Sequence, residues 1–226
     1  SSNVVVGSLA GDALTDGHEN TIIGYNAGGG STSVGEAVII GKDACQSDMT
    51  AAADGTICIG MAAGANITSG ARNLAIGFQA ADALTTSSDN IAIGYDALSS
   101  ATTNTTQNIA IGNYALNSIT AGQTVSDNVA IGYDAGTAIT TGDGNVLVGM
   151  QAGNVITTGG TNTCIGNEAD PSANSGANQT VIGAGTTGVA DNSVTLGNAS
   201  VTDVYMAQDS VFGSTTSGAW VHCGGI

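Results

Sequence analysis

The stretch NIAIGYDAL (90–98) returns almost unchanged as NIAIGNYAL (108–116); NLAIGFQAA (73–81) precedes it and NVAIGYDAG (128–136) follows. A catalytic site is needed once, but a structural unit is needed in every layer. Near-identity at intervals of 17 to 20 residues therefore predicts a periodic architecture.

Aligned on the central glycine, the repeat occurs twelve times, at Gly7, Gly24, Gly41, Gly60, Gly77, Gly94, Gly112, Gly132, Gly149, Gly166, Gly183 and Gly197. Most steps are 17 residues; the longer ones are 18, 19 and 20, and the last is 14. The residue before the glycine is always Val, Ile or Leu, as in Ile23, Ile93 and Leu196. Ala stands three residues after it in ten copies (Ala10 through Ala169), and Asn four before it in eight, including Asn3, Asn20, Asn73 and Asn162. Seven residues after the glycine comes an apolar or small residue (Leu14, Ile67, Leu84, Ala101, Ile119, Ile139, Ile156, Ala173, Ala190), usually followed by Thr.

Each repeat thus reads as strand, Gly turn, short strand and loop, the runs being too short and too β-branched for helices. Seventeen residues reach at most ~56 Å, enough for a flattened loop of two short strands ~10 Å apart. Loops stacked at ~4.8 Å would form a rod ~55–60 Å long. The fold class is therefore all-β, a parallel β-solenoid (β-roll) of about twelve coils of ~17 residues spanning 1–200. Residues 201–226, with the only Trp, read as an irregular β cap or transition segment. Insertions such as TAGQTVSDN before Val129 should bulge from one edge, and Asn at a fixed height should stack its amides in a ladder. The opening SSNVVVG lacks Met and a signal segment and already lies within the repeat, so a piece of a longer fibre is expected.

The first strand is apolar on both faces: the residue two before the glycine is Val5, Ile22, Ile39, Cys58, Ala75, Ala92, Ala110, Ala130, Leu147, Cys164 and Val181, then Thr195. One face fills the coil; the other requires a partner, and an oligomer is the expectation. The Thr-bearing segment can face water.

Composition narrows the function classes. Lys and Arg total two against a net charge of −16, which excludes a basic patch for nucleic acid or an anionic membrane surface. No run of 18 apolar residues spans a membrane. Asp43, Asp96, Asp134 and Glu168 recur two after the glycine, but Asn26, Gln79 and Gln151 take that place elsewhere, so solvated edge residues are expected rather than paired catalytic carboxylates. His18 and His222 have no companion ligands. No catalytic, cofactor-binding or metal-binding residue is assigned, and no enzyme is expected. Glu19-Asn20, Asp89-Asn90 and Asp127-Asn128 could offer oxygens to a structural calcium ion, yet such pairs are also ordinary turn chemistry. Adjacent Thr-Thr pairs point to opposite faces and argue against an ice-binding plane. Tyr25, Phe78, Tyr95 and Tyr133, with Met61 and Met150 in the same column, read as corner packing between chains rather than sugar platforms. Cys58 and Cys164 replace Ala in an apolar column, and with Cys45 and Cys223 they read as free thiols suited to assembly in a reducing cytosol.

SVTLGNAS (193–200), with its 14-residue step, resembles the head repeat of YadA-type trimeric autotransporter adhesins, while the NxAIGxxA units resemble repeats of bacteriophage tail fibres. The resemblance covers about residues 1–200 and implies a left-handed β-roll assembled as a homotrimer. It points to a structural fibre segment of a virion tail fibre involved in host attachment, the alternative being an adhesin head on a bacterial surface or another extracellular filament. A host receptor or glycan would be met through the irregular segment or a region beyond this chain.

Overall fold

The structure, a computed structural model, describes residues 2–120 and 122–204. It is a parallel β-solenoid. One sheet of twelve three-residue strands runs its length: β1 (Val4–Val6), β2 (Thr21–Ile23), β3 (Val38–Ile40), β4 (Ile57–Ile59), β5 (Leu74–Ile76), β6 (Ile91–Ile93), β8 (Ile109–Ile111), β10 (Val129–Ile131), β11 (Val146–Val148), β12 (Thr163–Ile165), β13 (Thr180–Ile182) and β14 (Val194–Leu196). Twelve strands enclose eleven turns (12 − 1), one fewer than the glycine count suggests. Each strand pairs in parallel with the next one in the same column register, so Ile91, Ala92 and Ile93 meet Ile109, Ala110 and Ile111. The long steps do not shift that register. Their longer legs carry a single-turn helix, Ala51–Ala53, and a two-stranded side sheet of β7 (Thr105–Thr106) and β9 (Val125–Ser126). From residue 205 onward, the expected cap or transition segment lies outside the described residues, as do Trp220, His222 and Cys223.

The strands end where the glycines stand. Eleven of the twelve column glycines have φ between +131° and +141°, open only to glycine, and a Cβ on any of Gly7 through Gly166 would strike the backbone of the next glycine in the stack. The turn that follows uses residues at left-handed φ two and four positions on, such as Asp96 (50°) and Leu98 (54°). The expected second strand is absent from this leg, where alternating left- and right-handed residues break the extended backbone needed for a ladder. The Thr column instead pairs through single bonds from coil to coil, for example Thr85 N–H to Thr102 O at 2.9 Å, reinforced by the Thr85 hydroxyl to the same carbonyl at 2.9 Å. Ala173 and Ala190 do not continue the apolar column; both are exposed.

The core is narrow and its columns complement one another. The middle residue of each strand from Ile22 to Val181 is buried, as is the column of alanines from Ala10 to Ala169. Where the strand contributes Ala92 or Ala110, the left-handed turn position supplies Leu98 or Leu116; where it contributes Ile22 or Leu147, that position is Gly28 or Gly153. Added carbon at Gly136 would meet Leu116 Cδ2 at 3.0 Å and Leu147 Cδ1 at 2.8 Å, so neighbouring leucines already fill its space. Alternation of large and small residues brings a core of small side chains to close packing.

The Asn ladder lies beside this core. In the run Asn73, Asn90, Asn108, Asn128, Asn145, Asn162, each Oδ1 accepts the backbone N–H of the next member (3.0–3.1 Å). The same oxygen accepts the next member's Nδ2 (3.0–3.3 Å). Nδ2 also donates to the peptide carbonyl that closes its own coil, as Asn128 does to Gly142 at 3.0 Å. Gln179 carries the column one step further by donating its N–H to Asn162 at 3.0 Å. Ala37 and Thr56 interrupt it, leaving Asn3 and Asn20 as a separate pair.

Two substitutions separate the faces. Ala92→Glu places a carboxylate in the core and should cost ~3–5 kcal/mol, enough to unfold the coil, whereas Thr102→Glu at a half-buried edge should stay within ~0.5 kcal/mol. Equal denaturation midpoints for the two variants would contradict this packing. Asn108→Ala strands the buried N–H of Asn128 and removes the side-chain donor to the Val125 carbonyl, and should cost ~2–4 kcal/mol in urea unfolding.

Candidate functional surface

Two features of the exterior follow from the repeat: the outer face of the long sheet and a line of aromatic side chains beside it. Alternation along a strand turns the residues flanking the buried middle one outward. The outward columns are therefore Val, Ile and Leu with a few Thr from β1 to β14, half-buried or exposed throughout, with Ile131 38% and Ile165 39% exposed. Twelve strands at ~4.8 Å give an apolar band over 50 Å long. Isolated apolar residues on a surface need no explanation; a contiguous band of this length does.

The residue after the glycine continues the band at its corner: Tyr25, Met61, Phe78, Tyr95, Tyr133 and Met150 are all exposed. In the middle coils they form a stack. Phe78 and Tyr95 lie parallel with centroids 5.2 Å apart, Tyr114 meets Tyr95 edge-on at 5.3 Å, and Tyr133 meets Tyr114 edge-on at 6.0 Å. Tyr114 stands one position later than the others, behind Asn113, whose Oδ1 accepts the Tyr95 N–H at 3.0 Å. That one-residue offset is why column reading missed it. Within the stack, Phe78 and Tyr95 cover each other's inner faces.

The recurring acids are separated by whole coils. Asp43, Asp96, Asp134 and Glu168 share a column at left-handed φ, so the closest successive pairs, two coils apart, stand ~10 Å from one another along the rod. Asn26 donates to Asp43 and holds its carboxyl below the usual range; burial raises that of Asp96. Burial, with the nearby Asp96 charge, likewise raises Asp82. Of the acid-Asn pairs, Asp89 is held by Arg72 in a two-pronged ion pair (2.6 and 2.8 Å) and Asp127 accepts the Ser126 hydroxyl at 2.8 Å. Lys42 lies 3.3 Å from Asp43, so both cations of the chain have carboxylate partners. His18 is exposed and pairs through its backbone with Gly35. Among the described residues no cavity opens, no three His, Cys, Asp or Glu side chains gather as a ligand set, and no helix is long and apolar enough to cross a membrane.

The cysteine reading needs correction. Cys45 and Cys58 are joined in a disulfide, so they are not free thiols, and the argument from them to a reducing compartment falls. Cys45 follows its glycine by four residues and Cys58 precedes its own by two; the return of the coil brings these unlike columns together, a proximity that sequence spacing concealed. Cys164 is free and buried, and burial pushes its thiol up to about 12.

No protein-family model, curated protein or solved structure matches this chain.

The half-buried acids make one prediction about pH. Because the folded value of Asp82 lies above 3.8, its contribution to stability is present below that pH and is lost as pH rises through the raised value. Asp82→Asn should therefore raise the melting temperature near neutral pH and leave it unchanged below pH 3.8. A shift of the same size at both ends of the titration would point to a cause other than the charge.

Proposed function

We propose that this chain is a structural fibre segment that assembles as a homotrimer through the outer face of its long sheet, and that it serves as part of a bacteriophage tail fibre in host attachment. One observation supports the assembly: an apolar band along every coil, bordered by exposed Tyr, Phe and Met, with no element of the chain's described residues laid over it. Removing such a band from water is favourable by ~25 cal/mol per Å², and a second and third copy carry a matching band of equal length. The trimer and the tail fibre rest on the resemblance of the repeats. An even surface, without a cavity among the described residues, in which each coil displays much the same residues suits spacing and stiffness better than catalysis. On this reading attachment to a receptor or glycan belongs to a less regular part of the fibre, and the location is the virion.

The last turn favours a second reading. β14 follows β13 after only 14 residues, the step of the adhesin-head repeat, and the Cys45–Cys58 bond suits an extracytoplasmic surface as well as a released virion. An adhesin head on a bacterial surface would bind its target through the coils themselves.

Sedimentation tests the assembly. The wild-type chain should run as a trimer at micromolar concentration, and Ile93→Glu together with Ile111→Glu, on the outer face, should lower its mass while leaving the β-sheet circular dichroism in place. A folded, soluble wild-type monomer would overturn the proposal. Glycan arrays and cell-attachment assays then separate the two readings: a chain ending at Gly197 should bind weakly if it is shaft, and strong, specific attachment by it would establish the adhesin head.

A further inference from the structure

The Asn ladder and the disulfide are complementary in position. From Asn73 to Gln179 every coil is tied to the next through a buried side-chain amide. Below Asn73 the column fails twice in succession. Ala37 has no side-chain oxygen for the N–H of Thr56, and the Thr56 hydroxyl is spent on Gly70 O at 3.2 Å. The same stretch holds a 19-residue step and the Ala51–Ala53 turn, so its return leg is also the least regular of the N-terminal half. Into this interval falls the Cys45–Cys58 bond, both residues fully buried.

We propose that the Cys45–Cys58 disulfide is a redox-controlled staple that replaces the missing amides at this joint, and that reducing it lets the coils before Asn73 open as a unit while those from Asn73 to Gln179 stay closed. The chemistry is thiol–disulfide exchange with a small-molecule disulfide of the glutathione type. One cysteine thiolate attacks that disulfide, forming a mixed disulfide and releasing one thiol. The second thiolate attacks the cysteine sulfur of the mixed disulfide, forming the Cys45–Cys58 bond and releasing the second thiol. Two electrons pass to the small disulfide, and the two cysteine protons end on the two thiols released. Because both sulfurs are buried, exchange in either direction waits on transient opening of the joint, so reduction of the folded chain is slow and is carried to completion before hydrogen exchange is compared. Closing a loop of 13-residue separation restricts the unfolded joint by on the order of 100-fold.

The test uses the full chain and the Cys45→Ala/Cys58→Ala variant. Alanine already occurs in both columns, at left-handed Ala81 and at Ala75, so the variant is compatible with the fold. After refolding with oxidised glutathione, peptic fragments should include one linking Cys45 to Cys58. Hydrogen exchange is then followed with and without dithiothreitol. The expected result is exchange on the order of 100-fold faster over residues 21–59 of the wild-type chain on reduction, unchanged over 91–182. The variant should show the fast rate whether or not reductant is present. Any of these results would overturn the proposal: no linked fragment, equal exchange over 21–59 in the two redox states, or acceleration spread evenly to residue 182. A response of the variant to reductant would do so as well, because the effect would then come from other cysteines.

Discussion

Everything in this solenoid depends on the glycine stack. At a φ near +135° the chain leaves the sheet plane, and it does so at the same height in each coil because the next glycine's backbone already occupies the space a Cβ would need. That contact sets both the turn and the distance between turns. Strands of three residues are weak elements alone, and here eight of the twelve are bounded by an Asn before and all by a Gly after, both of which bond to neighbouring coils. Register is therefore held at two fixed points per coil, and insertions of one to three residues are expelled to the far leg without shifting the pairing.

Given fixed register, the small core becomes an advantage. Large residues sit in the strand column in some coils and in the turn column in others, and where both are small, as at Ala130 and Gly136, leucines of the neighbouring coils, Leu116 and Leu147, fill the space. Leucine in a left-handed conformation, as at Leu98 and Leu116, costs ~1–2 kcal/mol, offset by the full burial of its side chain. Stability along the rod is nonetheless uneven. In a stack where each coil touches only its neighbours, a missing ladder rung is felt locally, so the joint at Ala37 and Thr56 and the disulfide beside it bear on the N-terminal coils alone.

The exterior follows from the same periodicity. A repeat that places Ile, Val or Leu before every column glycine must project an apolar band on the outer face of its sheet, whatever the protein's task. Few charged residues lie on that exterior, no cavity opens among the described residues, and the carboxylates of the column at Asp43, Asp96, Asp134 and Glu168 are spaced by the coil rise. Such a surface suits association over a long line.

How much of this was legible beforehand differs from column to column. The glycines, the aliphatic residue before them, the Ala column and the Asn ladder are strict in spacing, so the parallel solenoid and its buried face follow from the amino-acid order alone. What followed the turn did not. A strand was expected at Leu84–Thr85 because its residues alternate, but left-handed residues at Gln79 and Ala81 wind that leg into turns, and backbone handedness is not written in side-chain type when Gln, Ala, Leu and Asp all adopt it. Tyr114 joins the aromatic stack from a neighbouring column, and Cys45 meets Cys58 from two different ones, because the path of the closed coil decides which columns touch. Periodicity along the chain determined the architecture. Contacts across the coil, where residues of different phase converge, were decided by the tertiary structure, since they depend on the angles of the turns and not on the spacing between them.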